Sequence, residues 1–444
     1  MIEFGLYGYA MSRFSGCWIG MKCITDNVES SASFMFDPAS QEIVIPKDFD
    51  MPVDGLSIRW PDPPLEQEMR LYNYKINAAR AFTAANNINR LIFNSNKPRF
   101  GIITTGKAYL DTLQALGDLG IDAGEADRIG LRLLKIGMPW PLEPNIIERF
   151  AEGLKEIVVV EEKRAVIESQ LKEQLYNFEA SKRPRIVGKL NENGEWLFPS
   201  AGELSPARIA AVIGNRLKPF HISEAITTHL DFLDAKEIAL SNQSTDIERV
   251  PYFCSGCPHN SSTRVPEGSR ASAGIGCHYM ALWMDRSTET FTHMGGEGAN
   301  WIGQAPFTET PHIFANIGDG TYFHSGILAI RAAVAAGVSI TYKILYNDAV
   351  AMTGGQPMDG PLDVATIAKQ LHAEGVQRIA VVSDEPGKYS AETQWPPNIT
   401  LHERHDMDAL QRKLREHVGV SALIYDQTCA AEKRRRRKRG TFPN

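Results

Sequence analysis

Two stretches of the 444-residue chain carry residues whose types and spacing could do chemistry. In the first, an apolar run ends in Gly318-Asp319-Gly320. A second apolar run ends at Asn347, with 26 residues between Gly320 and Asn347. The runs read as neighbouring parallel strands joined by a helix over 325–336, a βαβ unit. The C-terminal ends of such strands open on one crevice. An acid and an amide placed there supply oxygen ligands for a hard divalent cation, whose other positions go to backbone carbonyls, water and a ligand's phosphates. The glycines beside Asp319 let backbone approach a diphosphate. Gly-Asp-Gly alone is more often a plain turn; the asparagine at this distance, between two strands, carries the cofactor reading.

The second stretch is Cys254-Ser-Gly-Cys257-Pro-His259. Cys277 follows in Gly274-Ile-Gly276-Cys277-His278, and Cys429 lies far off. Three thiolates near one point and a distant fourth suit a [4Fe-4S] cluster held by four cysteines. Zinc completed by His278 is the competing reading, and a C-x-x-C turn with two unrelated cysteines is the plain one. Cys17 and Cys23 have neither metal nor redox spacing and read as buried small side chains.

These residues need a frame. Strands at 100–105, 131–136 and 156–160 alternate with helices at 108–116, 145–154 and 163–176, giving a small parallel α/β domain over 99–180. Gly106-Lys107 lacks the rest of a phosphate loop. Before this domain, 1–50 reads as a packed helical segment, and 51–98 as a Pro-rich connection followed by a helix at 65–87. After it, 181–248 reads as a linker, with a hairpin at Asn193-Gly194, a helix at 205–217 capped by Ser205-Pro206, and a polar helical stretch from 221. Residues 249–430 form the domain that holds both chemical stretches. Its later elements are helices at 363–374 and 407–418 and strands at 378–382 and 422–425, with a turn at 359–361. The segment 431–444 is a basic tail, read as solvated and suited to steering an acidic partner.

Composition narrows the class. The chain is 43% hydrophobic and 23% charged, as soluble globular proteins are. A net charge of −6 argues against a nucleic-acid binder. No apolar run reaches the roughly 18 residues of a membrane span, and no signal peptide is visible. Six cysteines in so long a chain make no disulfide scaffold, so a reducing cytoplasm is expected.

The spacing of Gly318-Asp319-Gly320 and Asn347 resembles the thiamine-diphosphate motif. Together with Cys254-Ser-Gly-Cys257-Pro-His, Gly274-Ile-Gly276-Cys277, His293-Met-Gly-Gly-Glu297-Gly and Asn347-Asp-Ala-Val-Ala-Met-Thr-Gly-Gly355-Gln, it resembles the 2-oxoacid:ferredoxin oxidoreductases. Within them it looks most like the large fused bacterial indolepyruvate branch. The resemblance implies an α/β fold: a thiamine-diphosphate-binding domain, with a parallel sheet and helices on both faces, plus a smaller transketolase C-terminal-like domain. Residues 1–50 would be the tail of a pyrimidine-binding domain.

It further implies thiamine diphosphate, Mg2+ and a [4Fe-4S] cluster as cofactors. Asp319, Asn347 and the carbonyl of Ala349 match the family's magnesium ligands. Gly276, Cys277, Gly318, Gly320 and Gly355 would lie against the cofactor. Cys254, Cys257, Cys277 and Cys429 would hold the cluster. His324 and His278 are candidates to hydrogen-bond a substrate. The implied reaction is oxidative decarboxylation of an aryl-pyruvate with coenzyme A, electrons passing to ferredoxin, in a homodimer. The rest of the pyrimidine-binding domain, a two-cluster module and a γ-type domain are expected in cis or trans. The family's activating glutamate has no match here, and no turnover is expected of this chain alone. A non-oxidative thiamine-dependent decarboxylase or synthase and a non-catalytic metal-stabilised module are the alternatives.

Overall fold

The computed structural model describes all residues except 36, 38–41, 242–248, 359, 361 and 444. The end of the expected linker at 242–248 and most of the expected turn at 359–361 therefore lie outside the described residues. The chain divides into two units, Met1–Ser244 and Thr245–Asn444.

The first unit is built on five strands: β1 (Arg90–Asn94), β2 (Phe100–Thr105), β3 (Leu131–Ile136), β4 (Glu156–Val160) and β5 (Arg185–Val187). Their order is β1-β3-β2-β4-β5. All neighbours are parallel except β1 with β3. Alternate residues of each strand enter opposite cores, as the two-residue period of a strand requires. Phe100, Ile102, Leu131, Leu133, Val158 and Val160 face one side. Ile103, Leu134, Ile136, Ile157 and Val159 face the other.

The segment expected as a linker belongs to the first of these cores. Ile209, Ala210, Ile213 and Leu217 of helix Pro206–Leu217, and Ile226 and Leu230 of helix Glu224–Ser241, complete it. Ser205 caps the earlier helix by accepting from the Arg208 N–H, with Pro206 at its first position. Arg216 reaches back to Glu156 with two 2.6 Å bonds, which anchors the same helix to the start of β4. At the N-terminus, helix Ile2–Ser15 packs on helix Ile76–Ala85 through Tyr7, Met11, Ala79 and Phe82.

Several expectations need correction here. The helix expected over 65–87 is Pro64–Arg70 followed by a π-turn at Leu71–Lys75 and then Ile76–Ala85. The Asn193-Gly194 hairpin is reduced to one bridge, Leu190 to Trp196. Cys23 is exposed and Cys17 half-buried, so neither is a core residue. β1 is an additional strand, with weak alternation, half exposed at the sheet edge.

The second unit is a seven-stranded parallel sheet of β6 (Ala271–Ala273), β7 (Thr288–Phe291), β8 (Ile313–Gly318), β9 (Ile340–Tyr346), β10 (Arg378–Ser383), β11 (Thr400–Glu403) and β12 (Val420–Asp426). The order is β11-β10-β12-β9-β8-β6-β7. Ile313, Ala315 and Ile317 of β8 and Ile340, Tyr342 and Ile344 of β9 face helices Ile327–Ala336 and Val364–Ala373. Leu345, Ala380, Val382, Leu423 and Tyr425 face helix Met407–Arg415 on the other side. The basic tail is no loose segment: Ala430–Lys438 is a helix. No helix among the described residues is long and apolar enough to cross a membrane.

Candidate functional site

β8 and β9 run side by side in register, Ile317 opposite Ile344 and Gly318 opposite Leu345. Both strands therefore end at one level, which sets Asp319 beside Asn347. The Asp319 carboxylate accepts the N–H of Asn347 and that of Gly320, each at 2.8 Å. Asp319 begins a single helical turn, Asp319–Thr321, continued by a π-turn at Tyr322–Gly326 before the regular helix. Such π-turns inside helices recur at functional sites. A Cβ on Gly326 would run into the Ile317 side chain, so the turn needs a glycine to lie this close to β8.

Asp319 and Ala349 are almost fully buried, and Asn347 is 6% exposed. The Asn347 Oδ1 has no hydrogen-bond partner. Burial pushes the Asp319 carboxyl up to about 6, against the pull of the N–H groups of Asn347, Gly320, Asp348 and Ala349. A buried acceptor without a donor is costly and rare. An orphaned amide oxygen next to a buried carboxylate with no cationic partner fits a cation, which would ligate both and reverse the carboxyl's shift. Between Asn347 and Ala349, Asp348 holds a left-handed backbone, φ 56°.

The four distal cysteines converge. Cys257 donates its N–H to the Cys254 carbonyl at 3.0 Å, and Gly256 between them sits at φ 75°. Burial first, and then the fields of Cys277, Cys429 and Cys254, push the Cys257 thiol up to about 12. Cys277 is raised by burial and by Cys429 and Cys254. All four are free thiols, with Cys254 exposed and the others half-buried. Among the described residues no group of three or more His, Cys, Asp or Glu side chains is close enough to hold a metal ion. Cys257 and Cys277 thus each lie within the electrostatic reach of Cys254 and Cys429. Thiols raised first by burial and then by neighbouring cysteines, as Cys257 and Cys277 are, are groups that a bound cationic centre would ionise.

The two sites meet around His278. Its ring is fully enclosed: a Cβ on Gly276 would come within 2.8 Å of it, and one on Gly318 within 3.2 Å. It stacks edge-on against His259, centroids 5.6 Å apart, and its Nε2 lacks a partner. Burial, with some help from His259, pushes His278 down to about 3, so it is neutral. His324 differs: it is exposed on the π-turn, its Nδ1 2.7 Å from the Ser325 hydroxyl. Gly320 packs near Val350. Gly355 has φ 80° and lies under the C-terminal helix, where a Cβ would strike Glu432 and Arg435.

Glu297 is fully buried. Its carboxylate accepts from Gly295 at 2.8 Å and Ile275 at 3.4 Å, joining two glycine-rich loops. Burial raises its pKa. Arg435, Arg436 and Glu432 were not expected at the site. Their only sequence signal is a glutamate followed by arginines at helix-contact spacing.

Residues 90–239 match the indolepyruvate oxidoreductase domain, and residues 274–385 the C-terminal TPP-binding domain of thiamine pyrophosphate enzymes. The indolepyruvate oxidoreductase subunit IorA of Thermococcus kodakarensis is 27% identical over 364 residues, 76% of this chain and 50% of that protein. The subunit of the same name from Archaeoglobus fulgidus is 28% identical over 350 residues, again 76% and 50%. The chain thus spans about half the length of the curated relatives it matches. A 2-oxoglutarate:ferredoxin oxidoreductase structure from Magnetococcus marinus is 19% identical, covers 46% of this chain and 69% of that one, and superposes with a TM-score of 0.33. The chain is thus an α/β protein similar over about three quarters of its length to indolepyruvate oxidoreductase subunits, with one segment that matches their oxidoreductase domain model followed by one that matches a TPP-binding domain model.

Proposed function

We propose that the chain is the cofactor-holding part of a thiamine-diphosphate-dependent 2-oxoacid:ferredoxin oxidoreductase, acting on indolepyruvate and similar aryl-pyruvates, with coenzyme A as acyl acceptor. The observation that carries this reading is the unpartnered Asn347 Oδ1 beside the buried Asp319 carboxylate. Asp319, Asn347 and the Ala349 carbonyl would hold Mg2+ and through it the diphosphate. Gly276, Cys277, Gly318, Gly320 and Gly355 would lie against the cofactor. Cys254, Cys257, Cys277 and Cys429 would hold a [4Fe-4S] cluster.

When bound, thiamine diphosphate supplies the decarboxylation chemistry and the cluster a one-electron outlet. His324, exposed on the π-turn with Nδ1 against the Ser325 hydroxyl, would orient a substrate carboxylate through Nε2. His278, neutral and enclosed, would instead fix the turn that carries Cys277. The remaining domains, in cis or in trans, would complete the cofactor pocket and receive the electrons.

Calorimetry of thiamine diphosphate with and without Mg2+, and iron and sulfide assays on protein prepared without oxygen, test this. Mg2+-dependent binding together with about four irons per chain is expected. Binding by a colourless, iron-free protein would select the non-oxidative alternative. Failure to bind at all would select the non-catalytic module.

A further inference from the structure

The C-terminal helix Ala430–Lys438 has its cap residue, Cys429, at one end of the cysteine group and its arginines on the loop that follows Asn347. Arg436 donates from Nη1 to the Asp348 carboxylate at 2.5 Å and from Nη2 to the Asp348 carbonyl at 2.9 Å. Arg435 donates to the Gly354 carbonyl and to Glu432. Glu432 is 4% exposed, although a single glutamate in so basic a helix would ordinarily face water. Lys433 reaches Asp384 at 3.3 Å. The loop is thus gripped at Asp348 and at Gly354. Asp348 is also the residue with the left-handed backbone, a conformation that costs a non-glycine residue and persists only where surroundings impose it.

We propose that this helix is a clamp on the cofactor loop and that Arg436 is its positioning residue, holding Asp348 in the left-handed region and so fixing the backbone between Asn347 and Ala349. This rests on the reading of those two residues as cation ligands. The Arg436–Asp348 pair is partly exposed, 26% and 46% by side chain, so it adds little to global stability. Its effect lies in where it pins the chain. A carbonyl and a carboxylate held by one guanidinium fix the peptide plane, which an ammonium does only in part.

The test uses the full chain and four proteins: wild type, Arg436→Ala, Arg436→Lys and Arg434→Ala. Arg434 is exposed on the same helix, so its removal matches the charge change. Two readouts are taken: affinity for thiamine diphosphate with Mg2+, and amide hydrogen exchange over 347–356. In Arg436→Ala we expect affinity to fall about fivefold to tenfold and loop exchange to quicken by a similar factor, with the unfolding midpoint held. Arg436→Lys recovers part of both, and Arg434→Ala changes neither. Wild-type affinity and exchange in Arg436→Ala, or an equal effect of Arg434→Ala, would overturn the clamp. If wild type does not bind the cofactor, the functional reading fails, and the exchange readout still decides whether Arg436 orders the loop.

Discussion

The backbone N–H of Cys429 donates to the carbonyl oxygen of Asn347 across 3.0 Å. One of the four cysteines is therefore tied by a single hydrogen bond to the backbone of the asparagine at the candidate cation site. The contact is made by backbone atoms on both sides, so the two side chains can be varied without breaking it.

Cys429→Ser keeps that bond and removes the thiolate. We expect iron content to fall to background while Mg2+-dependent binding of thiamine diphosphate stays within about twofold of wild type. Iron assay and calorimetry on the same preparation check this; parallel loss of both would show that the sites cannot be separated.

Asn347→Leu removes a buried oxygen that has no partner in the cofactor-free protein. Its loss therefore costs the cofactor-free fold little, within about 1 kcal/mol. Affinity for Mg2+ with thiamine diphosphate should fall at least about tenfold, because an oxygen ligand is gone. Denaturant unfolding and calorimetry read the two effects independently. A large stability loss with unchanged affinity would refute the assignment.

Glu297→Ala leaves the N–H groups of Gly295 and Ile275 without their buried acceptor. A loss of about 2–4 kcal/mol is expected, from two unsatisfied buried donors. Glu297→Gln keeps one amide oxygen and should recover roughly half. Because the Glu297 carboxyl is raised by burial, the glutamine variant should lose less at high pH relative to wild type than at low pH. Chemical unfolding at pH 5 and pH 8 measures both.

His312 gives a pH dependence well away from the cysteines. It is 4% exposed, its Nε2 lies 2.7 Å from the Thr341 hydroxyl, and Thr341 in turn meets Ser421 at 2.8 Å. Burial first, then Arg415 and His417, lower its pKa to about 4. The folded state thus binds fewer protons than the unfolded one between about 6.5 and 4. The stability His312 contributes is complete above the unfolded value and lost as pH falls through that window, on the order of 3 kcal/mol in all. His312→Gln should flatten this part of the stability–pH curve; an unchanged acid limb would count against it.

Arg216 and Glu156 form the corresponding test in the first unit. Their side chains are 17% and 6% exposed and share two short bonds. Arg216→Met leaves the Glu156 carboxylate only the more distant Arg185, at 3.8 Å, and should cost about 2–3 kcal/mol, whereas the joint change with Glu156→Leu should recover most of it. A double-mutant cycle in denaturant decides this.

The sequence by itself determined the β8–helix–β9 unit, and with it the pairing of Asp319 and Asn347. That information is local: each strand is a mostly apolar run, interrupted only by Asn316 in β8 and by Thr341 and Lys343 in β9, and parallel register brings the ends level. The same logic found β2, β3, β4, β10 and β12, whose residues are nearly all buried. It did not find β6, an Ala-Ser-Ala segment with no strand preference of its own, which is held only by its neighbours β7 and β8. Nor did it see that helices after residue 205 close the first unit's core rather than link domains. Only the tertiary structure decided the surroundings of the pair. Arg436 meets Asp348 across 88 residues of chain, and Glu432 is buried against Gly355 by the same docking. A run of arginines reads as a solvated tail because, locally, nothing opposes solvation. Its role appears once β9 and β12 lie side by side and their C-terminal ends bring Asn347 and Cys429 together.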